Sequence, residues 1–294
     1  MPDVFILGYT KCATTSLYNQ LMQHEGVSRM KHKEPHFHFV QVLGDRFDGP
    51  ADKDIVEQMF VTEPDQYQAL YEPGKLTIDG SAMSIEDPRI LKLMNEQYPS
   101  AKFVIMLRNP LERAFSAYSH LIRDARETLS FTEAIEEELS GARSAHLPIW
   151  HNVKSSRYVY AIQHARQLLG DRLKVVSFDD YARNNQQTMD EVAAFIGLSP
   201  MTWQREVANR SGIPRSKSLQ KMIMRKSLAK SLFVKALPET WVTRAKRALL
   251  ERNTGAKLRI TEPEREYFKS VIADEAAKIH NHTVDSALLR SLYQ

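Results

Sequence analysis

Short apolar runs alternate with longer amphipathic stretches from residue 4 to residue 196. The apolar runs are typical of buried strands and cover residues 4–7, 76–78, 102–107 and 173–178. Apolar positions recur at helical spacing over residues 14–24, 88–97, 111–123, 157–169 and 187–196. This alternation predicts an α/β fold, in which a parallel sheet is flanked by helices on both faces.

The chain changes character beyond Gly197, where strand-like runs become sparse. Helical patterns occupy residues 218–234, 240–251 and 262–280. No internal repeat or low-complexity linker separates this part from the rest. We therefore expect a single domain, with an α/β core over residues 1–216 and a helical extension over residues 217–294.

Composition adds the expectation of a soluble protein with a large core. Hydrophobic residues make up 43% of the 294 positions, and no apolar run approaches the ~20 residues that a membrane-spanning helix needs. The first strand begins without a charged and then apolar leader. The single cysteine, Cys12, has no partner for an intramolecular disulfide, which favours a reducing compartment and predicts a cytoplasmic location.

Positive charge is concentrated in one segment. Residues 215–259 carry thirteen Lys and Arg against two Glu, or +11, so a net charge of +4 leaves −7 on the rest of the chain. Such a segment fits an anionic ligand or surface, although a solvated helix face is the alternative interpretation.

The first strand leads into a loop typical of phosphate binding, VFILGYTKCATTSLYNQL (residues 4–21). A helix that starts just after a strand offers unpaired N–H groups to an anion, and the small residues Gly8 and Ala13 allow close approach. A nucleoside-triphosphate loop would place Gly, Lys and Ser/Thr where Ala13, Thr14 and Thr15 stand. The sequence therefore predicts a P-loop-like site that is not an ATP site.

The lysine of this loop lies early, at Lys11, from where it can reach the group beyond the innermost phosphate. Thr14 and Thr15 supply hydroxyl and N–H groups for that phosphate. A sulfuryl group carries less charge than a terminal phosphoryl group, so a lysine alone can neutralise the leaving oxygen. The spacing favours a phosphosulfate donor. The alternative is an ordinary strand–turn–helix whose hydroxyls only cap the helix.

A second motif follows the third strand, in FVIMLRNPLERAFSAYSH (residues 103–120). Arg108 falls at the strand end, where its guanidinium can bind a phosphate in bidentate geometry. Ser116 lies about two helical turns further on and can present a hydroxyl to the same anion. Arg113 has two interpretations, a residue that orients the loop or a solvated helix arginine.

Together the two motifs resemble the sulfotransferases that use 3′-phosphoadenosine 5′-phosphosulfate (PAPS), in particular their carbohydrate and bacterial branch. The family's first loop reads K-x-G-T-T, and here it reads KCATT, with Ala13 in place of glycine. Its R-N-P-x-x-R-x-x-S motif binds the 3′-phosphate, which the resemblance assigns to Arg108 and Ser116. The resemblance also implies donor contacts from the loop residues Lys11, Cys12, Ala13, Thr14, Thr15 and Ser16.

A third region, VANRSGIPRSKSLQKM (residues 207–222), opens the basic segment. It resembles the family's late loop, which folds over the adenosine and adds cations to the 3′-phosphate. That resemblance assigns donor binding to Arg215 and Lys217. The alternative is the start of an amphipathic helix, since Leu219, Met222 and Ile223 share one face.

The stretch KHKEPHFHF (residues 31–39) offers a general base. Sulfuryl transfer to a hydroxyl needs a group that removes the hydroxyl proton, and Glu34, His36 and His38 are candidates. The similar stretch of the carbohydrate branch, K-E-x-H-F-F, uses its glutamate, which implies Glu34. Cytosolic aryl and steroid members use a histidine, so His36 is the second candidate, whereas His38 fits a core position. Histidine spacing gives no metal site.

The sequence departs from the family at IDGSAMS (residues 78–84), where many carbohydrate-acting members carry a lysine and a Ser/Thr-Pro step for the acceptor. Gly80 and Ser81 provide neither, so we expect a small natural product or lipid-like hydroxyl as well as a glycan among possible acceptors. Trp150, His151 and Tyr158 either line the acceptor cleft or belong to the core.

These observations lead to one hypothesis and two alternatives. The hypothesis is metal-free sulfuryl transfer from PAPS to a hydroxyl of a small-molecule acceptor in secondary metabolism, without a nucleic-acid partner. The first alternative is an atypical P-loop kinase, which would bind ATP with magnesium. The second is a non-enzymatic module that binds an anionic surface through residues 215–259.

Overall fold

The computed structural model describes residues 1–28, 30, 32–71, 74–205, 216, 255–279 and 285–293. Within them, four parallel strands form one sheet in the order β2-β1-β3-β4. Their bounds are β1 Val4–Gly8, β2 Ile78–Asp79, β3 Lys102–Leu107 and β4 Leu173–Ser177. The α/β fold with a parallel sheet is therefore confirmed.

Among the described residues, ten α-helices accompany the sheet as far as residue 196, and three more lie in the C-terminal region. The first ten are α1 Thr14–Leu21, α2 Phe37–Leu43, α3 Asp52–Met59, α4 Pro64–Gln68, α5 Pro88–Gln97, α6 Pro110–Arg123, α7 Phe131–Leu139, α8 Val159–Leu169, α9 Phe178–Arg183 and α10 Asn185–Ile196. The last three are α11 Glu262–Val271, α12 Ala273–Lys278 and α13 Ser286–Tyr293. None of these described helices combines the length and apolar character needed to cross a bilayer.

The register of the sheet brings the ends of three strands to the same edge. Gly8 pairs with Met106, and Leu107 pairs with Ser177, so β1, β3 and β4 end at nearly the same level. Because the strands are parallel, the segments that follow them emerge side by side at one edge. The loop after β1 and Arg108 after β3 are thereby neighbours.

Helices cover both faces of the sheet. Phe5 stacks on Phe103 with ring centroids 5.2 Å apart, and it meets Tyr98, directly after α5, and His38 of α2 edge to face. His38 is fully buried, which supports its interpretation as a core residue. A Cβ at Gly8 would point to the opposite face, because side chains alternate along a strand, and there it would touch Thr14 of α1.

Several predicted boundaries differ from the observed ones. The second strand is Ile78–Asp79, and Leu76 instead forms an isolated bridge with Val27. The first helix ends at Leu21, and the helical pattern of residues 262–280 is interrupted at Ile272, whose backbone lies near φ −104°, ψ 10°. The predicted helices at residues 218–234 and 240–251 lie outside the described residues.

The described part of the C-terminal extension packs directly against the core. Arg166 of α8 forms a bidentate ion pair with Asp285, and the Tyr293 hydroxyl donates a hydrogen bond of 2.6 Å to the Ser156 carbonyl. Phe268 of α11 is fully buried and stacks on Phe131 of α7. These contacts join residues 262–293, where described, to the α/β core.

Phe103→Ala should destabilise the protein by about 3–5 kcal/mol. The lost ring leaves a cavity beside the central strand β3, and the strand is held by its neighbours and cannot move to fill that cavity. Phe103 is 0% exposed. Tyr160→Ala is the matched control. Because Tyr160 is 66% exposed, this variant should lose much less free energy of unfolding. Urea unfolding measures both variants, and equal losses would contradict the central position of Phe103.

Candidate active site

One large cavity opens at the edge of the sheet where β1, β3 and β4 end. Its volume is about 1470 Å³. The site residues predicted from both anion motifs line this same cavity, as do the base candidates: Lys11, Ala13, Thr14, Thr15, Ser16, Glu34, His36, Arg108 and Ser116. Arg215 and Lys217, the candidates of the third region, lie outside the described residues.

The loop after β1 is held in an unusual backbone conformation. Lys11 and Ala13 both adopt left-handed φ values, 75° and 68°. The Cys12 N–H donates to the Tyr9 carbonyl at 3.1 Å, which closes the turn. The helix α1 begins directly afterwards, so the N–H groups of Thr14 and Thr15 stand at its unpaired, positive end.

Cys12 lies beneath this loop and does not line the cavity. Its side chain is fully buried in the core. Burial raises the pKa of the thiol to about 11, despite the opposing charges of Arg113 and Arg108. The backbone N–H of Cys12 is thus used within the turn, and its buried side chain does not line the cavity, so the donor contact implied for Cys12 stays a prediction.

Lys11 faces a strongly positive part of the cavity. Burial lowers the pKa of its ammonium, and the charges of Arg123 and Arg108 lower it further, whereas Asp124 and Glu34 act in the opposite direction. Such an excess of positive charge is electrostatically costly in the free protein. An anion placed beside Lys11 would relieve it.

Arg108 has free capacity to bind a ligand. One Nη donates to Glu112 at 2.9 Å, and its guanidinium carbon lies 4.8 Å from the centre of the Phe178 ring. Its Nε is buried and has no hydrogen-bond partner among the described residues. Ser116 lies one turn beyond Glu112 on α6 and lines the same cavity. These groups fit an oxyanion such as phosphate.

Arg113 serves the scaffold, since its side chain is fully buried. It donates to the carbonyl oxygens of Asn152 and His151 at 2.6 and 3.1 Å, and to the Ser156 hydroxyl at 2.9 Å. A longer contact of 3.5 Å reaches the Thr10 carbonyl in the loop after β1. Arg113 therefore orients this loop and does not enter the cavity.

Glu34 sits between two basic side chains. It contacts the Lys33 ammonium directly, and its other oxygen lies 3.3 Å from His36 Nε2. Burial alone would raise the pKa of the Glu34 carboxyl, but the Lys33 charge and the His36 hydrogen bond lower it to about 2. Glu34 is thus ionised near neutral pH and able to accept a proton.

A buried network holds the Glu34 loop in place. The His36 N–H donates to the Ser81 hydroxyl at 2.9 Å, and the Ser81 N–H donates to Asp79 at 2.8 Å. Tyr67 and Tyr71 donate their hydroxyls to the same Asp79 carboxylate. Ser81, which the sequence analysis left without a function, therefore positions the base candidates.

The cavity wall beyond Glu34 is apolar. It is formed by Ile55, Met59, Phe60, Met83, Leu147 and Ile149. Trp150, His151 and Tyr158 do not take part: each is buried, and Tyr158 donates its hydroxyl to the Arg108 carbonyl at 3.0 Å. These three residues therefore belong to the core and do not line an acceptor cleft.

Sequence reasoning missed several charged residues of the site. Lys33 donates to the Thr15 hydroxyl at 3.0 Å as well as contacting Glu34. Cations on α6 and in more distant segments also line the cavity: Arg123, Arg126, Arg205, Lys257, Arg259 and Arg265. The position of Lys33 beside Glu34 was a usable signal, and Lys257 and Arg259 belong to the basic segment of residues 215–259 that fits an anionic ligand, whereas the other four lack a local motif. Across the described ranges, no group of three or more His, Cys, Asp or Glu is arranged to hold a metal ion.

The model of the sulfotransferase family matches residues 2–204. This match spans more than half of the chain, and the protein therefore belongs to the sulfotransferase family. Carbohydrate sulfotransferase 15 of Mus musculus is 23% identical over 276 residues, which covers 76% of this chain and 49% of that protein. The human protein of the same name is 23% identical over 254 residues and is covered to 45%. The chain thus spans about half the length of these curated relatives.

Solved structures show the same fold. A sulfotransferase from Alicyclobacillus acidocaldarius superposes with a TM-score of 0.72 at 26% identity, covering 95% of this chain and 94% of that one. Mouse sulfotransferase SULT7A1 complexed with PAP is similar in fold, with a TM-score of 0.52 at 13% identity. The superposition covers 99% of this chain and 88% of the SULT7A1 chain.

Ala13→Gly should stabilise the protein by about 1 kcal/mol, because glycine adopts a left-handed φ without the steric cost that alanine incurs. The gain corresponds to a rise of about 2 °C in melting temperature. Ala165→Gly, inside α8, is the matched control and should destabilise. A loss of stability in both variants would contradict the left-handed conformation at position 13.

Cys12 should react at least ~100-fold more slowly with a disulfide reagent at pH 8 than an ordinary thiol, since little of it is thiolate. Its thiol pKa of about 11 predicts that the rate rises with pH well beyond pH 9. Absorbance of the released reagent anion measures the rate, and urea-unfolded protein provides the control. Rapid reaction of the native protein at pH 8 would place Cys12 at the surface.

Proposed function

We propose that this protein transfers a sulfuryl group from PAPS to a hydroxyl of a small-molecule acceptor. The observation that carries the proposal is the single cavity lined by both anion motifs, Lys11 with Thr14 and Thr15 at one strand end and Arg108 with Ser116 at the next. One doubly phosphorylated adenosine accounts for both. Membership of the sulfotransferase family supports the same donor.

Each end of the donor has its own set of residues. Thr14 and Thr15 bind the 5′-phosphate with hydroxyls and with the N–H groups at the start of α1. Arg108 and Ser116 bind the 3′-phosphate, which supplies a partner for the buried Arg108 Nε. PAPS supplies a sulfuryl group activated by its bond to phosphate. Lys11 stabilises the negative charge that develops on the phosphate oxygen when that bond breaks.

Glu34 acts as the general base. As the acceptor oxygen bonds to sulfur and the bond from sulfur to the phosphate oxygen breaks, the hydroxyl proton passes to the Glu34 carboxylate. The products are the sulfated acceptor and 3′,5′-adenosine bisphosphate (PAP). His36, at 3.3 Å from Glu34, orients the carboxylate and is the second candidate for the base.

The acceptor binds beside Glu34 against the apolar wall. Side chains such as Ile55, Met59 and Phe60 favour an acceptor with an apolar portion, which suits a natural-product or lipid-like alcohol. Glycans belong in the same screen, because two relatives are named carbohydrate sulfotransferases. Labelled PAPS incubated with a panel of hydroxyl compounds identifies the acceptor class.

Calorimetry with PAP in the absence of metal tests the donor. Arg108→Ala should weaken PAP binding by about 10–100-fold, the loss expected for charge-assisted hydrogen bonds. Lys11→Ala should lower kcat by about 100-fold, because it removes a group that stabilises the leaving oxygen. Lys92→Ala, on the exposed face of α5, is the matched control.

Two outcomes would overturn the proposal. Magnesium-dependent binding of ATP in preference to PAP would indicate a kinase. Salt-sensitive binding to anionic vesicles that survives Lys11→Ala, without PAP binding, would indicate a surface-binding module.

A further inference from the structure

Lys33 links the two halves of the site. Its ammonium donates to the Thr15 hydroxyl at 3.0 Å and also contacts the Glu34 carboxylate. Thr15 belongs to the start of α1, which the proposed function assigns to the donor, and Glu34 belongs to the acceptor side. The Lys33 side chain is 18% exposed, so most of it is fixed inside the protein.

The stem of Lys33 is anchored, and its position depends on a glycine. A Cβ at Gly80 would lie 3.1 Å from Lys33 Cγ and 3.2 Å from Tyr18 Cδ2, closer than ordinary contacts. The Gly80 N–H donates to the Lys33 carbonyl at 3.0 Å, and the ammonium lies 5.8 Å from the centre of the Tyr18 ring. With the stem held, the ammonium touches Thr15 and Glu34 at the same time, so a small rotation of its last bonds is enough to favour either contact.

The pairing has a chemical consequence for Glu34. A carboxylate held by an ammonium is a weak base, since a proton that arrives must displace the ion pair. Among the described residues, the basic groups that interact with Glu34 include Lys11 from the loop after β1, and His32, Lys33 and His36 from its own segment. Lys33 is in direct contact with the carboxylate and also touches the donor half of the site.

We propose that Lys33 couples donor binding to activation of the base, an inference that rests on the proposed function. In the donor-free protein its ammonium pairs with Glu34. When the oxygens of a 5′-phosphosulfate occupy the site at Thr15, the ammonium moves to them. Glu34 then keeps His36 as its close partner and becomes the stronger base. Lys33 is thus a positioning residue that delays removal of the acceptor proton until the donor is bound.

Titration of Glu34 by carbon NMR tests this coupling in the full-length protein. Glutamate labelled at the carboxyl carbon reports the pH midpoint of Glu34, and Glu34→Gln identifies its signal. Lys33→Met retains the stem over Gly80 and removes the charge. We expect the Glu34 midpoint without PAP to be higher in Lys33→Met than in the wild type.

PAP is the probe for the donor half. The charge of PAP raises the Glu34 midpoint in both proteins. The rise should be larger in the wild type, because there Glu34 also loses its contact with Lys33. We expect the difference between the two rises to be about one pH unit, or tenfold in proton affinity. Equal rises in the wild type and Lys33→Met would overturn the inference. So would a Glu34 midpoint that is the same in both proteins without PAP.

Two further variants keep the test independent of folding defects. Gly80→Ala preserves the Lys33 charge but displaces its stem, and it should raise the Glu34 midpoint without PAP. Lys92→Met removes a remote, exposed charge and should leave the midpoint unchanged. Calorimetry in parallel should show PAP binding about tenfold weaker in Lys33→Met. Absence of PAP binding by the wild type refutes the donor assignment itself, whereas PAP binding without a differential shift at Glu34 refutes only the role of Lys33.

Discussion

The parallel pairing of β1 with β3 is the interaction on which the site depends. Gly8 pairs with Met106, and a Cβ at Gly8 would lie 2.6 Å from the Met106 carbonyl oxygen. Glycine at this position therefore lets the two strand ends lie this close. A shift of one residue would exchange the buried faces of β1 and separate the loop after β1 from Arg108. The cavity lies where the two segments predicted to bind phosphate leave the sheet side by side.

The basic residues around this cavity divide into two kinds. Arg113 is fully buried and donates to the Asn152 carbonyl and the Ser156 hydroxyl, and a longer contact of 3.5 Å reaches the Thr10 carbonyl in the loop after β1. Lys11 and Arg108 face the cavity, where burial and mutual repulsion favour an anion. The buried Arg113 and the cavity-lining Arg108 thus lie only five positions apart in the same motif, Arg108 before α6 and Arg113 within it.

Most of the α/β architecture was predictable, because strand and helix patterns depend on local spacing. The helix at residues 88–97 and the strand at residues 102–107 are observed with the predicted bounds. The short strand β2 was misplaced because an edge segment of two residues has too little pattern. Cys12 was included among the donor residues through the resemblance of its loop to the family's first loop, and the structure adds that its side chain is buried between the left-handed residues Lys11 and Ala13. The cytoplasmic location stays a prediction.

The sequence by itself determined the layered fold and located the two motifs predicted to bind anions, since residue type and spacing carry that information within one strand–loop–helix unit. The tertiary structure decided which side chains meet across units. It brought Lys33 to Thr15, placed Arg123 near Lys11, and placed Trp150 and Tyr158 in the core. Such contacts join segments distant in sequence, and no local pattern encodes them, because they depend on how helices and loops pack around the edge of the sheet.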